Sequence, residues 1–160
     1  MISPELLSIL ENVSDPEIPV LSVVDLGVVR SAERVGDRVE IEITPTYSGC
    51  PAMKVIEDEI VAEMNKNGYS NVSVKMVYAP AWTTDWMSEK GRRKLQEYGI
   101  APPETASSDK SLLTGNPKNI TCPLCKSTHT ELISQFGSTA CKALYRCKDC
   151  LEPFDYFKCL

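Results

Sequence analysis

Apolar residues first recur at helical spacing near the start of the chain, where Leu6, Leu10 and Val13 follow Ser3 and Pro4. A serine at the N-cap with proline at the first helical position is a start signal, so the pattern predicts a short amphipathic helix ending near Val13. Two prolines in SDPEIPV then break it. Along VVDLGVVRSAERVGDRVEIEITPT the period falls to two: Val39, Ile41 and Ile43 alternate with Arg38, Glu40 and Glu42. Two strands joined at Gly36 and Asp37, each with one buried face, satisfy that alternation. From Pro51 the period lengthens again; Met53, Ile56, Ile60 and Met64 line one helix face, and Asn67 with Gly68 supplies the stop. NVSVKMVYA predicts a third strand with Val72, Val74 and Met76 on one face. TTDWMSEKGRRKLQEYG predicts a last helix capped by Thr83 or Thr84.

The order α-β-β-α-β-α predicts an α+β domain over residues 1–100, a small three-stranded sheet with packed helices. APPETASSDKSLLTGNP, residues 101–117, lacks apolar period and is rich in Pro, Ser and Thr, the composition of a linker. Residues 118–160 then form a separate module, which holds six of the seven cysteines of the 160-residue chain.

Cys122 and Cys125 are separated by two residues, as are Cys147 and Cys150, with 21 residues between the pairs. Two-residue spacers let both thiolates of a knuckle reach one tetrahedral ion, and TELISQF and KALYRC supply strands for a zinc ribbon. About forty residues bury too little core to fold without such a staple, so the expected role of Zn²⁺ is structural. The same four thiolates could also carry an iron–sulfur cluster. His129, in the polar stretch KSTHTE, reads as exposed rather than as a ligand. Cys141 is a spare thiol near the metal, either a small buried hydrophobe or an accessory thiol, and Cys159 is expected to stand apart from the ligands. A closed four-thiolate site leaves FDYFK, with Tyr156 at its centre, as the expected adhesive face, although Phe154 and Phe157 could instead fill the ribbon core.

Charge adds an exclusion. The net charge is −5; residues 118–160 carry +2 and the rest −7, and thiolate-bound zinc would bring the module to neutrality. A nucleic-acid ligand wants a concentrated basic face, which this distribution does not offer. The start of the chain lacks a basic region followed by an apolar stretch, which makes the expected location cytoplasmic.

In PTYSGCPAM, Cys50 falls where a strand ends and a helix begins, with Pro51 at the first helical position. Orphan N–H groups and the helix dipole there favour a thiolate, so the sequence predicts a lowered pKa for Cys50. Thr46 and Ser48 could bond the sulfur or cap the helix, and Asp15, Glu17 and Asp25 cluster ahead of it, where acidic residues around prolines otherwise read as solvated turns. No nucleophile–histidine pair and no glycine-rich phosphate loop occurs, so nothing in the sequence marks an enzyme active site.

DPEIPVLSVVDLG, TPTYSGCPA and the amphipathic helix that follows resemble the iron–sulfur cluster assembly domain family that includes SufT and PaaD, over about residues 3–100. With CPLC, SQFGSTACKALYRC and CLEPFDYFK added, nearly the full chain is similar to the PaaD branch, associated with the bacterial phenylacetyl-CoA epoxidase of phenylacetate degradation. The resemblance implies iron–sulfur cluster assembly or delivery. It puts cluster handling on Cys50, with Asp15, Pro16, Glu17, Asp25 and Gly27 as matching positions, and departs from the expected pattern at Leu151. It implies the epoxidase reductase, with its iron–sulfur centre, or the di-iron subunit as client, and cluster-assembly proteins as further partners.

These readings make the chain a non-enzymatic maturation factor in which Cys50 transiently holds iron or a cluster. A stable cluster wants four ligands, so a second copy or a partner would complete the shell. The competing reading is an integral subunit or electron carrier of the oxygenase, with iron in the ribbon.

Overall fold

In the computed structural model, which describes residues 1–103 and 119–158, the chain divides into two compact units. One comprises Met1–Trp82 with Trp86–Gly91, the other Thr83–Asp85 with Arg92–Leu160. Beyond Pro103, the linker read from composition lies outside the described residues, as does Cys159.

The first unit opens with α1 (Pro4–Leu10), whose Leu6, Ile9 and Leu10 are buried. Ser3 occupies the cap position without a side-chain cap bond; its N–H instead donates to the Ala32 carbonyl and fixes the chain start to the sheet edge. β1 (Val29–Val35) and β2 (Arg38–Ile43) pair antiparallel, and β2 pairs in parallel with β3 (Val72–Met76). A parallel pair needs a crossover, and α2 (Ala52–Lys66) supplies it, burying the Met53, Ile56, Ile60 and Met64 face that the sequence marks. Val39, Ile41 and Ile43 are buried while Arg38 is exposed, and β3 alternates between half-buried Val72, Val74 and Met76 and exposed Ser73 and Lys75.

The last predicted helix starts later than its pattern suggests. Thr84–Trp86 is a 3-10 turn, and α3 runs from Glu89 to Tyr98. Its cap is Ser88, whose Oγ accepts the Gly91 N–H at 2.9 Å, not Thr83 or Thr84. Thr83 Oγ1 accepts the Asp85 N–H in a local turn, and Ser88 is claimed by Asp25, whose Oδ1 accepts the serine hydroxyl at 2.9 Å. A tertiary bond thus places the cap, which local propensity could not disclose.

In the second unit β4 (Ile100–Ala101), β7 (Pro153–Phe157), β6 (Lys142–Cys147) and β5 (Thr130–Ser134) lie side by side in that order. Its core is Ala101, Ile120, Cys122, Ala143, Tyr145, Cys147, Phe154 and Tyr156. Tyr145 stacks on Phe154 with ring centres 5.9 Å apart and meets Tyr156 edge-on at 5.8 Å. Tyr156 is therefore 1% exposed and Phe157 equally buried, which overturns FDYFK as an adhesive face: β7 turns these rings inward.

Leu151 is exposed and takes φ 65°, and Lys126 takes φ 66°; each follows the second cysteine of its knuckle. A side chain in this left-handed region costs about 1–2 kcal/mol. Leu151→Gly removes that cost and little burial, and is expected to raise ribbon stability by about 1 kcal/mol in denaturant unfolding. An unchanged or lowered midpoint would show that the leucine side chain is held by contacts that offset its backbone strain.

Candidate functional site

The ribbon brings together the four thiols that the spacing pairs. The Sγ atoms of Cys122, Cys125, Cys147 and Cys150 all lie within 4.8 Å of one another, with Cys122 to Cys150 at 3.8 Å and Cys125 to Cys147 at 3.5 Å. Four sulfurs at ~2.3 Å from a tetrahedral ion stand roughly 3.8 Å apart, so the cluster has the dimensions of a metal cage. Cys122 and Cys147 are fully buried and Cys125 is exposed. N–H groups of Cys150 and Asp149 pull the Cys147 thiol down to about 6. The Glu152 N–H favours the Cys150 thiolate, but burial and the neighbouring thiols outweigh it and push Cys150 up to about 12. Four sulfurs this close ionise together only around a cation.

A second link joins the knuckles beside the sulfurs. Ser127 Oγ donates to Asp149 Oδ2, and His129 Nδ1 stands 3.3 Å from Asp149 Oδ1. His129 is exposed and belongs to this clasp, outside the thiol group, as its polar surroundings suggest. Cys141 is buried with Sγ 3.0 Å from Thr139 Oγ1. It precedes β6, whereas Cys147 ends that strand, so six residues of strand rise put roughly 20 Å between them. Cys141 is not a thiol near the metal.

Cys50 is half-buried in the turn between β2 and α2. Its N–H donates to the Tyr47 carbonyl at 3.3 Å, and the sulfur accepts from the Ala52 N–H and from the Tyr47 side chain. The helix-start effect expected from the sequence is thus present, but it does not win. Burial raises the Cys50 pKa above its ordinary value, and the carboxylates of Glu17 and then Asp15 add to that rise. The free thiol is protonated at neutral pH, which corrects the expected thiolate.

The charges of Glu17 and Asp15 thus reach Cys50 through the fold. Asp15 is buried, its Oδ1 accepting the N–H groups of Glu17 and Ile18 at 2.8 Å each, so it both shapes the DPEIP turn and carries charge toward the sulfur. Asp25 acts elsewhere, as a fastener. Ser22 Oγ accepts its N–H, its Oδ2 faces the Ser22 N–H at 3.4 Å, and its Oδ1 holds Ser88. Thr46 is half-buried in the turn that carries Cys50. Sequence reasoning passed over Tyr47, which the PTYSGCP stretch displays, and Thr44, whose buried hydroxyl has no hydrogen-bond partner among the described residues.

No described helix is long and apolar enough to cross a membrane. Residues 4–76 match the family model described as iron–sulfur cluster assembly protein, and residues 106–158 match the PaaD zinc beta ribbon domain. A protein of Escherichia coli (strain K12) named as a candidate subunit of 1,2-phenylacetyl-CoA epoxidase is 51% identical over 156 residues, covering 98% of this chain and 92% of the relative. An Fe-S protein maturation auxiliary factor of Porphyromonas gingivalis (strain ATCC BAA-308 / W83) is 33% identical over 93 residues, 57% of this chain and 88% of that protein. The crystal structure of a domain of unknown function, DUF59, from Bacillus anthracis superposes with a TM-score of 0.53 at 28% identity, covering 57% of this chain and 88% of its own. With a four-thiol ribbon joined to an iron–sulfur cluster assembly domain, and half of its residues shared with a relative over nearly its whole length, the chain belongs to the PaaD family.

Proposed function

We propose that the chain is a maturation factor that hands iron, or an iron–sulfur cluster, to a component of a phenylacetyl-CoA epoxidase, and that Cys50 is the residue that handles this cargo. The observation that carries the reading is a half-buried Cys50 thiol at the start of α2 that feels the charges of the Glu17 and Asp15 carboxylates. Two carboxylates whose charge reaches a half-buried thiol disfavour a lone thiolate and favour a cation; when iron arrives, the sulfur gives its proton to solvent and the cation offsets the charge left on the thiolate. A single soft thiol donor is an incomplete shell, suited to a cargo that must leave again. The names of two relatives, a subunit of this epoxidase and an Fe-S maturation factor, agree with such a role. The remaining ligands come from the recipient or from a second copy of the chain. In the ribbon, the closed four-sulfur cage holds zinc as a structural ion, and with all four ligands supplied by the chain it leaves no open position for chemistry. A separate assembly domain and ribbon module, with a linker before the ribbon cysteines, and a cytoplasmic location complete the proposal.

Cys50→Ser tests it. Serine keeps the size and the hydrogen bonds from Ala52 and Tyr47 but offers iron a neutral hydroxyl. Thermal melts and ribbon zinc are expected to match wild type, while epoxidase activity and client iron in cells fall at least about tenfold, the loss of roughly 1.4 kcal/mol or more of binding at the ligand. Wild-type client iron with this variant would sink the cargo role. Iron rather than zinc in the ribbon of anaerobically purified protein would favour an electron-carrying subunit instead.

A further inference from the structure

The turn that contains Asp25 also borders a cleft that uses none of the thiols or carboxylates above. Val24, Gly27, Val29, Arg30 and Trp86 line about 360 Å³ of it, a volume at the small end of those that hold small ligands. Arg30 reaches the cleft through an irregularity in the sheet. The β1–β2 register steps from Val29 opposite Ile43 to Ser31 opposite Glu42, leaving Arg30 as the extra residue of a bulge. Bulges re-aim a side chain, and here the guanidinium carbon sits 4.0 Å from the centre of the Trp86 ring. Stacking occupies one face of the guanidinium and leaves its planar N–H edge available for a forked pair of hydrogen bonds.

Among the described residues no carboxylate lies within 4 Å of Arg30, although acidic residues outnumber basic ones in this chain by 22 to 17. Arg30 is also, among the described residues, the one charged residue lining the cleft. A phosphate, with up to two negative charges, draws on several cations or N–H groups; a single guanidinium fork matches a carboxylate. The valines and the indole offer an apolar wall beside the charge. We propose that this cleft binds a small carboxylic acid, its carboxylate forked on Arg30 and its apolar body against Val24, Val29 and Trp86.

The full-length, metal-loaded protein, labelled with ¹⁵N, is titrated with benzoate while the two tryptophan indole signals are followed. Trp82, whose Nε1 donates to the Leu26 carbonyl at 3.0 Å and which does not line the cleft, is the internal control. The expected result is a saturable shift of the Trp86 signal with benzoate and weak, unsaturated shifts with benzamide or inorganic phosphate. Arg30→Gln should weaken benzoate binding by about tenfold or more, and Arg30→Lys should lie between because it keeps charge but loses the fork. An unmoved Trp82 signal and unchanged ribbon metal report that the variants are folded; if Arg30→Gln is not, the benzoate and benzamide titrations of wild type decide. Failure of benzoate to saturate, equal binding of benzamide or phosphate, or undiminished binding by folded Arg30→Gln would overturn the proposal. None of these outcomes depends on Cys50.

Discussion

Cys147→Ser is expected to release the ribbon metal and unfold the second unit while the first melts as in wild type. Cys147 is both a cage thiol and a member of the core with Tyr145, Phe154 and Tyr156, so one substitution removes a ligand and disturbs the packing around it. That core is small, and metal binding in comparable small domains contributes on the order of 10–16 kcal/mol, as much as the whole stability of an ordinary domain. A neutral serine hydroxyl neither binds a soft cation well nor carries the charge that offsets it. Cys141→Ser is the contrast: it introduces a hydroxyl into a buried position just before the same β6 but away from the sulfurs, and it should cost about 1–3 kcal/mol with full metal retained. Metal content per chain and the dispersion of ribbon amide signals separate the two variants. Full metal and native ribbon signals in Cys147→Ser would mean that three sulfurs suffice, and loss of metal from Cys141→Ser would mean that the cage depends on the far end of the strand.

Whatever repeats along the chain could be read from it. The alternation of Val39, Ile41 and Ile43, the helical spacing of Met53, Ile56, Ile60 and Met64, and the paired cysteines each repeat a local geometry, and the structure keeps all three. Residues whose role depends on a distant partner were not legible. Ser88 caps α3 because Asp25, 63 positions earlier, holds its hydroxyl, and Ala101 enters the ribbon core through a two-residue strand too short to show a period. The aromatic residues of β7 carried no sign of whether they faced solvent or core, because a strand with Phe154, Tyr156 and Phe157 reads as adhesive until its neighbour Tyr145 is known.

At Cys50 the sequence located the thiol at a helix start and misread its charge. The helix-start N–H is there, yet its effect on the sulfur is smaller than that of burial, and Glu17 and Asp15 come from a segment more than thirty residues away. Sequence proximity joined Asp25 to those two carboxylates; the fold gives it a separate role. Asp15 and Glu17 act on a thiol, while Asp25 fastens Ser88 to the turn that follows Ser22.

That fastening gives the second large effect, a severe loss of stability from Gly27→Ala. Gly27 has φ +75°, where an alanine costs about 1–2 kcal/mol, and its added Cβ would lie 2.4 Å from the Trp86 carbonyl oxygen and 2.8 Å from the carbonyl carbon. Both obstacles are backbone, so no rotamer change relieves them and Trp86 must move. It is not free to do so. Met87 is buried next to it, the Ser88 N–H donates to the Asp25 carbonyl at 2.9 Å, and Trp82 is tied to Leu26 just before Gly27. Displacing the segment breaks part of this set, for a combined cost of about 3–5 kcal/mol. Gly36 is the control, since it has φ +66° but nothing within 4 Å of an added Cβ, and Gly36→Ala should cost only the backbone strain. Denaturant unfolding of the full chain, followed through amide signals of the first unit, should therefore separate the two variants by about 1–4 kcal/mol. Equal losses would mean that the Trp86 carbonyl yields without resistance, and that Asp25, Ser88 and Trp82 do not hold the segment against the turn.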